Sequence, residues 1–208
     1  MGPFDRTDRL RWQAASLLAA APVAAFAAAA GPAPPAAVQP QLARAEQAQA
    51  LHARLLAGHS ATATLEAWCA EHGLAAKARV RAVQVRDVQR DAPEEVRKAL
   101  QVQADTPLRY RRVQLACGQR VLSEADNWYV PGLLTPAMNK VLDGSDEPFG
   151  RVVGPLGFQR QTLRDEAYWP PRGEGPKAVL LEVHALLRDR DRHPFSYVIE
   201  SYLAQALP

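Results

Sequence analysis

Polar and apolar residues alternate from Arg109 to Leu115, so Arg109, Arg111, Val113 and Leu115 share one face of a predicted strand and Tyr110, Arg112 and Gln114 the other. Arg111 therefore sits beside Val113 and Leu115 on the more apolar face. A guanidinium among aliphatic side chains is costly unless an anion pairs with it, so Arg111 requires one from the protein or from a ligand. Cys117-Gly118-Gln119 turns the chain into a second run, Arg120 to Val130, as in a hairpin with Gly in its loop. Pro131 ends that run by removing a donor.

The same reading places the other elements. Leu42, Ala45, Ala48, Leu51 and Leu55 recur at helical spacing, and after Gly58-His59-Ser60 a second helix runs through Leu65, Trp68 and Cys69 to Gly73. Ser60 or Thr62 is its expected cap. Val80 to Val88 alternates as a strand, Pro93 to Leu100 reads as a short helix, and Thr135-Pro136 opens a helix that ends before Gly144. Beyond the Pro148-Phe149-Gly150 turn, two or three further strands are expected. The clearest is Ala178 to Leu187, with Val179, Leu181, Val183, Ala185 and Leu187 on one uniformly apolar face. The last, Phe195 to Leu203, sets Ser196, Val198, Glu200 and Tyr202 on one side. Helices followed by hairpin-linked strands predict an α+β architecture with an antiparallel sheet.

Composition adds a domain plan. The chain has 208 residues, 48% hydrophobic and 23% charged, which fits one globular domain with an appendage. A net charge of +3 is spread among acids rather than gathered in a stripe, which argues against nucleic acid and equally suits a small anionic partner. Arg6, Arg9 and Arg11 precede an Ala-rich uncharged run, Gln13 to Ala30, so residues 1–30 resemble a secretory signal cleaved near Ala30. Residues 31–41 then form a Pro/Ala-rich linker and 42–208 the domain. This plan expects a periplasmic or secreted protein with no stable membrane anchor after signal removal; a low-complexity extension on a cytoplasmic protein is the alternative. Cys69 and Cys117 have no CxxC partner or His/Cys spacing, so no metal is expected; two ordinary thiols is the simpler reading, although an exported chain would permit their pairing.

Three blocks carry a family resemblance: Arg111 in its strand, DEPFGRVV with Pro148-Phe149-Gly150-Arg151, and RHPFSYVIESYL with Glu200. Together, over about Leu65 to Leu203, the chain resembles the chorismate pyruvate-lyase family and, more distantly, the ligand-binding domains of GntR-type transcription regulators that share its fold. The resemblance implies an antiparallel sheet with flanking helices enclosing a buried pocket, and conversion of chorismate to 4-hydroxybenzoate and pyruvate without a cofactor. It further implies that Arg111 binds a carboxylate, that the Phe149 amide before Gly150 holds the product carboxylate, and that Glu200 stands at the substrate as general acid or base.

The chain also departs from that family. Trp169-Pro170-Pro171-Arg172 replaces its usual basic pair, and Asn127 stands about where it carries an arginine; either change weakens binding of a second carboxylate. Arg151 is the candidate substitute. An exported lyase would also meet little chorismate. No helix-turn-helix precedes the domain, which disfavours a DNA-binding regulator. The alternative function is a noncatalytic module that binds a small aromatic or hydroxylated carboxylic acid.

Simpler roles stand beside these. Arg111 would form a buried structural ion pair with Glu200, His184 and His193 would be satisfied sheet histidines, and Asp189 to Arg192 would be a solvated hairpin loop. Asp126, Asn127, Trp128 and Tyr129 are secondary site candidates.

Overall fold

A computed structural model describes residues 39–208. The expected signal segment, and the linker up to residue 38, lie outside the described residues. Helix α1 spans Gln39–Ala57, so the last three residues of the expected linker are helical. Helix α2 follows at Ala61–Glu71, where Ser60 accepts a hydrogen bond from the Ala63 N–H and so satisfies one of the free donors of the first turn. Strand β1, Val80–Gln84, is shorter than the expected 80–88. Its end is fixed by the Gln84 side chain, which donates to the Leu142 and Ser145 carbonyls, after which the chain leaves the sheet for helix α3, Glu94–Leu100.

Strands β2, Arg109–Cys117, and β3, Arg120–Tyr129, form the expected hairpin, with Gly118 at φ +58° in its turn. That left-handed conformation suits glycine. Helix α4, Pro136–Gly144, starts as expected, with the Thr135 hydroxyl accepting from the Met138 N–H at 3.2 Å. The Pro-Phe-Gly turn is the entry to a single helical turn, α5, Phe149–Val152. Strands β4, Gln159–Arg172, β5, Val179–Arg188, and β6, Pro194–Leu203, complete one antiparallel sheet in the order β1-β2-β3-β6-β5-β4.

The two faces of the sheet are covered differently. On one, Leu51 and Leu55 of α1 and Leu65 and Trp68 of α2 pack in a single buried cluster with Val80, Val113, Leu115, Val183 and Ala185. The Trp68 indole N–H donates to the Ala206 carbonyl, tying α2 to the end of the chain. On the other face, Val96 and Leu100 of α3 cover Trp128, Leu186 and Tyr197. Burying each large apolar side chain contributes about 1.5–3 kcal/mol, so the first face carries most of the stabilisation.

The cysteines correct the simpler reading of two free thiols. Cys69 on α2 and Cys117 at the end of β2 are bonded, and both are fully buried. Sequence spacing carried no signal of this, because the contact arises only when α2 lies across the β2–β3 hairpin.

Candidate functional site

The strand register brings the polar residues of three strands together. Arg111 on β2 lies opposite Asn127 on β3, which lies opposite Val198 on β6; two residues along, Val113 lies opposite Ala125 and Ala125 opposite Glu200. Side chains at these alternate positions project from the same face. Small side chains in the row, Ala125 and Ser196, leave space above the sheet, and the starts of α2 and α5 roof it with Ser60, Thr62, Phe149 and Gly150. The resulting cavity has a volume of about 60 Å³. One water needs ~10–15 Å³ by the same measure, so the cavity suits a small molecule and not a polymer.

Gly150 lets the roof close tightly. A Cβ there would lie 3.2 Å from the Ser60 hydroxyl and 3.6 Å from that of Thr62. Phe149 stacks towards Phe195 and Phe158 also lines the space, giving the site aromatic walls.

The charged residues lining the cavity are Arg111, Arg160 and Glu200. Glu200 is buried, and its Oε2 accepts from Arg160 Nη2 at 2.6 Å and from the Tyr202 hydroxyl at 2.9 Å. The Arg160 side chain is 3% exposed. Burial alone would lower the affinity of Arg160 for its proton, but the Glu200 carboxylate outweighs it and the pKa is raised. Arg111 is also buried but differs in its partners. It is 7% exposed, and its Nη2 donates only to backbone carbonyls, those of Glu147 at 3.2 Å and Ser145 at 3.4 Å. Its Nε and Nη1 are buried with no hydrogen-bond partner. Burial lowers its pKa against the opposing influence of Tyr129, Asp146 and Asp143, although a guanidinium stays charged at any physiological pH.

The simpler alternative, an Arg111–Glu200 ion pair, is therefore not formed among the described residues. Glu200 is held by Arg160, which sequence reasoning missed. Arg111, Phe149, Gly150 and Glu200 nevertheless line one cavity, together with Asn127, whose Oδ1 accepts from the Ser196 hydroxyl at 2.7 Å. Arg151 does not join them. Its guanidinium is taken by Glu66 on α2 and by Glu147 at 2.7 Å, so it braces the roof from outside. Tyr129 lies on the cavity side of the sheet, in the core against Phe149 at 5.2 Å between ring centroids. Asp126 and Trp128 point to the other face: Asp126 accepts from Arg90, Tyr110 and Arg112. The Trp128 indole donates to the Arg90 carbonyl. His184 lies on the α3 side of the sheet, its Nδ1 2.9 Å from the Tyr197 hydroxyl, and is a satisfied sheet histidine.

Comparison with known structures identifies the fold. The effector domain of PhnF from Mycobacterium smegmatis matches at a TM-score of 0.50 with 12% identity, over 70% of this chain and 88% of that one. Whole PhnF matches at 0.50 with 11% identity, over 72% of this chain and 65% of that one. The possible transcriptional regulator YydK from Bacillus subtilis aligns at 0.45 with 16% identity, over 62% of this chain and 59% of that one. The chain thus spans less than two thirds of either whole regulator. The fold is that of the effector domains of GntR-family regulators, an α+β unit with a six-stranded antiparallel sheet and flanking helices.

No family model matches the chain. The uncharacterized protein y4mC of Sinorhizobium fredii (strain NBRC 101917 / NGR234) is 43% identical over 176 residues, covering 76% of this chain and 74% of that protein. The chain belongs to the family of y4mC.

Proposed function

We propose that the protein is a noncatalytic binding module that holds a small organic carboxylate in the cavity between its sheet and the starts of α2 and α5. One observation carries this reading: Arg111 is buried in the cavity wall with two guanidinium nitrogens unpartnered. An uncompensated buried charge costs several kcal/mol, and a carboxylate repays it through parallel N–H···O bonds to a planar fork. Phe149 and Phe158 offer flat apolar walls for a ring. The effector-domain fold supports the same function. The Cys69–Cys117 bond, together with the N-terminal segment, supports an oxidising destination, the periplasm or the exterior.

The test is a thermal-shift series with benzoate, 4-hydroxybenzoate and aliphatic acids on the full chain. A saturable rise in melting temperature with an aromatic acid is expected, and no response to any acid would contradict the reading. Chorismate lyase activity is the second reading, favoured by the presence of Glu200 in the same cavity as Arg111. Incubation with chorismate separates the two. Release of 4-hydroxybenzoate and pyruvate establishes the lyase, while binding without product leaves the module.

A further inference from the structure

Strand β1 is too short to cover its neighbour, and a polar groove opens where it stops. Gln84 pairs with Val113 and the Val85 N–H still reaches the Arg112 carbonyl at 2.9 Å, after which the chain leaves the sheet. The part of β2 from Arg109 to Arg111 is left beside two adjoining spaces of about 330 and 350 Å³, which share Gln84, Gln89, Tyr110, Arg111 and Asp143 in their linings. Arg111 alone among these residues also lines the cavity. Four arginines border the groove against one acid. Two of the four are neutralised: both carboxylate oxygens of Asp143 accept from Arg109 at 2.6 Å, and Glu124 and Asp126 hold Arg112 at 2.9 and 3.1 Å. The other two have no carboxylate among the described residues. Arg86 donates to the Asp143 backbone carbonyl at 3.2 Å, and Arg111 to the two carbonyls described above.

Nearby acids do not remove this imbalance. Asp146 faces Arg81 at 3.9 Å, and Asp143 is already bonded to Arg109. Burial weighs most on Arg111 and lowers its pKa; Tyr129, Asp146 and Asp143 oppose that, while Arg86 adds to it as a like charge. Two cations therefore act on each other across the groove, and the buried one keeps Nε and Nη1 unpartnered. We propose that the groove is a second binding site, for a tetrahedral oxyanion with two negative charges, sulfate or a phosphate group, bonded by Arg86 and held by the charge of Arg111. The count of unmatched cations sets the charge. The shape follows from the donors: Arg86 follows β1 and Arg111 belongs to β2, so two separate guanidinium groups serve the site. A tetrahedral anion presents oxygens in several directions to such a pair, whereas a carboxylate presents both of its oxygens in one plane to a single fork. Each space is several times the volume of the cavity, which leaves room for the organic part of a phosphate ester. The inference is independent of what the cavity holds.

NMR titration of the full chain at about pH 7.5 tests this with four probes: sulfate, inorganic phosphate, phenyl phosphate and acetate. Ionic strength is held constant, because salt screens charges in an open groove. Saturable shifts of the backbone amides of residues 84–89 and 109–111 are expected with sulfate and phosphate, at an affinity at least tenfold above that for acetate. Arg86→Gln changes an exposed side chain with one carbonyl partner. It should weaken sulfate at least fivefold and leave the circular dichroism spectrum unchanged. Phenyl phosphate binding as tightly as inorganic phosphate would name esters as the source, and weaker binding would name the free anion; either upholds the site. Equal affinity for sulfate and acetate, unchanged sulfate affinity in a folded Arg86→Gln, or shifts confined to Thr62, Phe149 and Gly150 in the cavity roof would overturn it. The wild-type series decides alone where the variant is unfolded. Failure of 4-hydroxybenzoate to bind would sink the cavity's proposed function and leave this result standing.

Discussion

Two arginines in one cavity show how partner choice decides what a buried charge does. Arg160 is locked to Glu200 and belongs to the architecture of the site, whereas Arg111 has only two backbone carbonyls as hydrogen-bond partners and is the residue to which the proposed function assigns the ligand. Replacing Arg111 by Met should therefore leave the free protein melting no lower than the wild type, because an uncompensated charge is removed along with two modest hydrogen bonds worth roughly 1 kcal/mol each. The stabilisation given by 4-hydroxybenzoate should disappear. A fall of more than ~4 °C in the free protein, about 1–2 kcal/mol at this size, would make Arg111 a structural residue. Arg111 could be read from the sequence because Val113 and Leu115 mark its face as apolar. Arg160 could not, since beyond Phe158 the residues that follow it in period two, Thr162 and Arg164, are polar and leave no apolar stripe to announce a buried side.

Element by element, legibility follows the same logic. β5 and β6 fall within one residue of their expected bounds because each has one face of apolar or mixed alternation packed in the core. β4 is the sheet edge and mostly exposed, so its sequence bears little patterning and the strand was anticipated only as one of two or three. The disulfide was also invisible, being a long-range contact. It closes a loop between residues 48 apart in sequence and joins the helix that roofs the cavity to a strand that floors it. Loop-closure entropy predicts that reduction lowers the unfolding free energy by about 2–4 kcal/mol. Urea unfolding followed with and without reductant measures this directly. A change under ~1 kcal/mol would show that packing of Trp68 and Leu65 alone holds α2 in place.

For the whole molecule, charge sets the pH range over which the fold is stable. Hydrogen bonding from Arg151 outweighs the opposing effect of burial and, with a further hydrogen bond from Arg79, holds the Glu147 carboxyl below its ordinary value of 4.5. A depressed carboxyl contributes stability above its unfolded pKa and loses it as pH falls, so melting temperature should decline below about pH 4.5. At the other limit, burial and then the hydrogen bond to Asp126 push the Tyr110 hydroxyl up to about 12. The fold favours its protonated form, and that contribution should be lost as pH rises from 10 to about 12. Tyr110→Phe should show a smaller fall in melting temperature between pH 9 and pH 11.5 than the wild type; an equal fall would assign the alkaline limb to other groups. Between these limits the molecule is a sheet with one dry face under α3 and one hollow face under α2 and α5, and the hollow face contains the uncompensated cation. The most direct test of that account is calorimetric titration of 4-hydroxybenzoate into the wild type and the Arg111→Met variant side by side. Saturable one-to-one binding to the wild type, weakened at least a hundredfold in a variant with an unchanged circular dichroism spectrum, is the predicted result. Equal affinity in the two proteins would contradict it.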